Sequence, residues 1–178
     1  MRHFPIPQYH EVSAANRKYF DFFRQKLGSV PNLYSMLAHS ESALDAYYKL
    51  HEHAQSLNTI EKAVIGILVA SLNESVYCLE THKMIARLNG LSEEEVNEIV
   101  DGTILFNERC HHLSRLVTEI VISKGKPREK TLQRFFDAGY TTENLVDAIL
   151  CIADTTFTNL LTCSMNVPLD TADGPGQN

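Results

Sequence analysis

A thiol and an imidazole, Cys78 and His82, stand four residues apart in the stretch Asn73-Glu74-Ser75-Val76-Tyr77-Cys78-Leu79-Glu80-Thr81-His82. Four residues is slightly more than one helical turn, so in a helix the two side chains share a face. Asn73 to Ser75 is a polar break of the kind that begins a helix, and Ser75 carries the hydroxyl of an N-cap. A cysteine just after such a start feels the positive end of the helix dipole. A nearby imidazole can take the thiol proton or pair with the anion. Peroxide chemistry, disulfide exchange and soft-metal binding all require a thiolate. The plainer alternative is a buried, small, apolar thiol beside a hydrogen-bonded histidine, and the pair alone does not choose between them.

Cys110-His111-His112 is the other cluster with ligands that zinc prefers. Adjacent residues on one helix point about 100° apart, and the spacing matches no zinc module, so no metal site is expected. No cofactor is expected either. The four cysteines, Cys78, Cys110, Cys151 and Cys163, are widely spaced and form no C-x-x-C pair. In a reducing compartment they read as thiols rather than as a disulfide framework.

The elements that must position Cys78 and His82 read as helices throughout. The 178 residues, 44% hydrophobic and 21% charged, fit one domain spanning 1–178 with a sizeable core. A net charge of -6 without a basic run argues against nucleic acid and against an anionic membrane surface as partners. No apolar run approaches the roughly 20 residues of a membrane span, and the N-terminus lacks a secretory core, which points to the cytoplasm.

Residues 1–12 are expected to be extended, with Pro5 and Pro7 opposing helix. Ser13 suits the cap of a helix ended by Gly28, Pro31 the first turn of a short helix, and Ser40 or Ser42 the start of one reaching about Leu57. Thr59 opens an apolar, central helix through Leu72. The Cys78–His82 helix follows and stops at Asn89-Gly90. Ser92 with Glu95 is a capping box for a helix ending near Gly102. From about Glu108, Leu113, Leu116, Val117, Ile120 and Val121 form one apolar stripe. A helix over about 128–138 and a last, broadly apolar helix from Thr141 through Leu160 complete an all-α chain with a loose tail over 168–178. Such a final helix belongs in the centre or in a subunit interface.

Several stretches together carry a family resemblance. They are Val30-Pro31-Asn32-Leu33-Tyr34, Leu37-Ala38-His39-Ser40, Ser71-Leu72-Asn73, Tyr77-Cys78-x-x-x-His82, Ala138-Gly139-Tyr140 and Phe157-Thr158-Asn159-Leu160-Leu161. In this text the chain resembles the carboxymuconolactone decarboxylase superfamily, and within it the AhpD-like alkylhydroperoxidase-related proteins. The resemblance implies an AhpD-like helical bundle, a homo-oligomer (trimer or hexamer), and an antioxidant thiol peroxidase or disulfide-exchange activity on a peroxide or small thiol. It also implies a C-x-x-C-x-x-x-H motif whose second cysteine is peroxidatic, whose first resolves, and whose histidine and an upstream glutamate relay protons.

By position, Cys78 takes the peroxidatic place and His82 the histidine place. The resolving cysteine falls on Ser75 and the glutamate on Ala63. Glu61, two residues earlier and about 200° round the helix, is the candidate relay if the backbone shifts. Ser75 can hydrogen-bond a Cys78 thiolate but cannot resolve a sulfenic acid. The expectation is therefore a single-cysteine, weak or altered peroxidase with Cys78, His82 and Ser75 at its site. The alternatives are a helical oligomer with a decayed thiol site that acts by binding, or a decarboxylase of the carboxymuconolactone type.

Overall fold

The computed structural model describes residues 4–51 and 55–170, and among them are nine α-helices and no strand. The helices are α1 (Ala14–Leu27), α2 (Asn32–Leu37), α3 (Ala43–His51), α4 (Thr59–Leu72), α5 (Val76–Leu88), α6 (Glu93–Val100), α7 (Glu108–Ser123), α8 (Glu129–Asp137) and α9 (Thr142–Met165). By their contacts the residues group into two compact units, Met1–Glu52 with Leu161–Asn178 and His53–Leu160.

In the first unit, Ser13 Oγ accepts from Asn16 N and caps α1, and Gly28 ends the helix at φ 80°, a left-handed turn that glycine adopts without penalty. Pro31 lies at the N-cap of α2 rather than inside its first turn. Asn16 is fully buried and donates from Nδ2 to Ala38 O at 3.3 Å and Ser40 O at 2.9 Å, which fixes the loop after α2. Phe23 stacks on Tyr34 with centroids 4.1 Å apart, and Tyr19 lies against Tyr48 at 5.2 Å. Of the tail expected to be loose, residues 168–170 are held: Asp170 Oδ1 accepts from Asn32 N at 2.7 Å, and Asn32 Nδ2 donates to Pro168 O at 3.0 Å. The remainder, 171–178, lies outside the described residues.

The second unit is built around α4. Val64, Ile65, Ile67 and Val69 are fully buried, and α5, α6 and α7 all pack against this helix. A helix that is apolar on all sides is stable only when surrounded, which is why the apolar run becomes the centre. Asn58 and Glu61 form a capping box at its start. That box also corrects the expected reach of the preceding helix toward Leu57. Asn144 Nδ2 donates to Ser56 O at 2.8 Å and Asp147 accepts from Ser56 N at 2.8 Å, so residues 55–58 are held as a connection. Thr141 and Asn144 exchange reciprocal hydrogen bonds at the start of α9. Among the described residues, α9 is the one helix long and apolar enough to cross a membrane, at a mean hydropathy of 1.3 over 18 residues.

Between α7 and α8, Glu119 accepts from Arg128 N at 3.0 Å, Arg128 Nε at 2.9 Å and Thr131 Oγ1 at 2.9 Å. The Arg128 guanidinium, first among these, holds the Glu119 carboxyl down to about 2. A carboxyl depressed in the folded state adds stability above its unfolded value, and that stability is lost as pH falls through the folded one. Glu119→Gln is therefore expected to flatten the decline in urea midpoint between about pH 4.5 and pH 2, with little change in slope above pH 6.

Candidate active site around Cys78

α5 begins as its sequence predicts. Ser75 is the N-cap, fully buried at 1% exposure, and its Oγ accepts from Cys78 N at 3.4 Å. The serine thus does the capping work that its position implies. Glu74, at φ 56°, makes the sharp turn out of α4 that lets α5 fold back upon it. Cys78 lies in the first turn of α5, buried at 3% exposure.

The thiol is not sealed in hydrocarbon. Its Sγ donates to Thr158 Oγ1 at 3.7 Å, and the Thr158 hydroxyl in turn donates to Thr155 O at 2.9 Å. Thr155, Thr158 and Asn159 are all buried at i, i+3 and i+4 on α9, forming a polar row inside an otherwise apolar helix. Asn159 Nδ2 donates to Val69 O at 3.2 Å and so ties the row to the end of α4. Polar groups buried in this way cost stability unless bonded.

His82 is half-buried one turn beyond Cys78 and lies over Gly66 of α4. A Cβ at position 66 would stand 2.5 Å from Nδ1, 2.7 Å from Cε1 and 2.8 Å from Cγ of the ring. Glycine inside a helix costs about 0.5–1 kcal/mol relative to alanine, so this one marks a close approach. Ala63 and Ala70, at i−3 and i+4, share its face of α4.

Glu61 does not share that face. It is 2% exposed, accepts from Asn58 N at 2.8 Å in the capping box, and accepts from Arg109 Nε of α7 at 3.0 Å. Arg109 lies 4.0 Å over the ring of Tyr140, which stacks on Phe135 at 4.2 Å. Glu61 is thus committed to α7 through a buried charge and a cation–π stack, and the about 200° offset read from the sequence stands uncorrected by any backbone shift. Cys78, His82 and Ser75 are gathered on α5, and Glu61 is turned to another side of α4.

Sequence reasoning missed two residues of this site. Thr158 lay within the recognised Phe157-Thr158-Asn159-Leu160-Leu161 text without a role. Gly66 was signalled by being a glycine in the middle of an apolar helix. Of the other cysteines, Cys110 is buried, and burial, followed by the Glu61 charge, pushes its thiol up to about 11. Burial, followed by Asp154, pushes Cys151 likewise to about 11. His111 Nδ1 lies 3.1 Å from Ile104 O.

Residues 40–108 match the family described as the Carboxymuconolactone decarboxylase family. An uncharacterised peroxidase-related protein from Silicibacter sp. TM1040 superposes with a TM-score of 0.83 at 18% identity, over 95% of this chain and 90% of its own. A peroxidase-related protein with an alkylhydroperoxidase AhpD core, from Ralstonia eutropha JMP134, gives 0.83 at 18% identity over 94% and 92%. The debrominase Bmp8 gives 0.75 at 17% identity over 89% and 88%. No curated protein sequence matches the chain. The family match thus covers 69 of the 178 residues, and over nearly its whole length the chain has the AhpD-like fold of these structures.

The raised Cys110 and Cys151 thiols have a direct consequence for labelling. In native protein at pH 8, iodoacetamide is expected to modify them at least about tenfold more slowly than exposed Cys163, as followed by peptide mass spectrometry.

Proposed function

We propose that this protein is a thiol-dependent hydroperoxidase that uses one redox cysteine, Cys78, with His82 as its base. The observation that carries the reading is the placement of a thiol in the first turn of α5, hydrogen-bonded to Thr158, with an imidazole one turn later on the same helix. In the first step His82 takes the thiol proton and the sulfur attacks the near oxygen of a hydroperoxide. The O–O bond breaks, an S–O bond forms, and the proton passes to the departing alkoxide, leaving an alcohol and a sulfenic acid.

With serine at position 75, an external small thiol attacks the sulfenic acid, releasing water and forming a mixed disulfide. A second thiol then restores Cys78 and leaves as the oxidised pair. The raised thiols of Cys110 and Cys151 favour this external route, because the attacking species is the thiolate. Glu61 has no part in the cycle, since its carboxylate serves the cap of α4 and Arg109. The cycle requires a reducing compartment, and the cytoplasm is the proposed location.

A second reading is thiol-dependent removal of halogen from a small aromatic ring. The similar debrominase was also solved as a cysteine-to-alanine variant in complex with 2,3,4-tribromopyrrole, with a TM-score of 0.74 to this chain. The lack of a resolving thiol at position 75 favours it over a two-cysteine cycle. Bromide release from that pyrrole by the wild type, lost in Cys78→Ser, is its signature.

Oxidation of a small thiol by an alkyl hydroperoxide is expected to fall at least a hundredfold in Cys78→Ser, and about a hundredfold at pH 7 in His82→Ala. Equal rates in wild type and Cys78→Ser, with no bromide release, would leave a binding protein with a decayed site.

The assembly is proposed to be a homo-oligomer, a trimer or a hexamer. Val146, Ile149, Phe157 and Leu160 are 59%, 48%, 40% and 64% exposed along α9, an apolar stripe of the kind that subunits cover. Light scattering is expected to return a mass of at least three chains, lowered by Leu160→Lys. A monomeric wild type would end this part of the proposal.

A further inference from the structure

We propose that Gly66 is a positioning residue of the thiol site, the side chain it lacks being the space in which the His82 imidazole sits. The chemical part of the inference rests on the hydroperoxidase reading, whereas the seat itself does not.

Nothing else in the structure asks for glycine at this position. Gly28, Gly90, Gly102, Gly125 and Gly139 all have positive φ, which explains them, but Gly66 is helical and in the interior of α4. The three heavy atoms nearest to a Cβ built there all belong to the His82 ring, at 2.5–2.8 Å, and no backbone or core side chain comes before them. Alanine would otherwise serve α4 better, as Ala63 and Ala70 do on the same face. The ring therefore accounts for the glycine.

The seat matters because of where it puts the base. Cys78 and His82 are carried by one rigid helix, so their backbone separation is set by α5, and only the imidazole torsions remain to be chosen. Contact with the α4 backbone chooses them. A methyl at position 66 would meet the end of a side chain with two rotatable bonds, so the ring would turn away and both helices would stay in place. The predicted lesion is a folded protein with a misplaced base. This differs from a core clash, which would lower stability without singling out His82.

Four proteins test this: wild type, Gly66→Ala, His82→Ala and the double variant. Turnover of an alkyl hydroperoxide with a small thiol at pH 7 is expected to fall about tenfold or more in Gly66→Ala. The deficit should shrink as pH rises and solvent base replaces the imidazole. Adding Gly66→Ala to His82→Ala should cost no further activity. In thermal unfolding, Gly66→Ala is expected to raise Tm by about 2–4 °C in the His82→Ala background, and to give a smaller gain or a loss when His82 is present. Additive losses in turnover, or equal Tm changes in both backgrounds, would overturn the proposal. If wild type shows no Cys78-dependent turnover, the hydroperoxidase reading fails, and the Tm comparison still decides the seat.

Discussion

α5 can bring an imidazole against the centre of its unit because α4 presents bare backbone at Gly66. The two helices are joined by only the turn through Glu74, so their close packing is nearly forced by the chain. What is not forced is the depth at which a ring as large as His82 can lie between them. That depth is bought with helix stability at one residue, a loss the heavily buried α4 can absorb through Val64, Ile65, Ile67 and Val69. Around that contact the other parts take their places: Ser75 starts the helix, Cys78 follows in its first turn, and Thr158 reaches the sulfur from α9.

Much of this arrangement was legible because its causes are local. Helix starts at Ser13, Ser75 and Ser92 were read from a hydroxyl before an apolar run, and each hydroxyl accepts a backbone N–H in the structure. The stripe from Leu113 to Ile120 is buried on one side of α7, as its spacing requires. The end of α3 was misjudged because its determinant is remote. Asn144 and Asp147 hold Ser56 from nearly ninety positions away, and no local signal announces that. The Cys78–Thr158 contact is equally distant in sequence. Cys78 and His82 were visible as a pair, but the groups that meet them come from other helices.

Glu61 shows how little a residue's identity says without its direction. It has the chemistry of a proton relay and stands close in sequence to the position where one is implied. Yet the 3.6-residue period turns it away from Ala63 and Gly66 and toward Arg109. There its buried carboxylate pairs with the partly exposed Arg109, which is backed by Tyr140 and Phe135. Removing Arg109 would leave the carboxylate without its charged partner in the interior. A carboxylate next to a candidate site in sequence thereby becomes part of the framework joining α4 to α7.

Thr158 has a property that a fixed donor or a fixed acceptor would lack. With the sulfur protonated, its oxygen receives the S–H while its own hydrogen points to Thr155 O. Once the sulfur is charged, rotation about a single C–O bond swings that hydrogen round to meet it. The abandoned carbonyl keeps the amide partner that any helix interior provides. The hydroxyl can thus answer to either state of the sulfur with the heavy atoms standing still, so the change of charge entails almost no reorganisation of the surrounding protein.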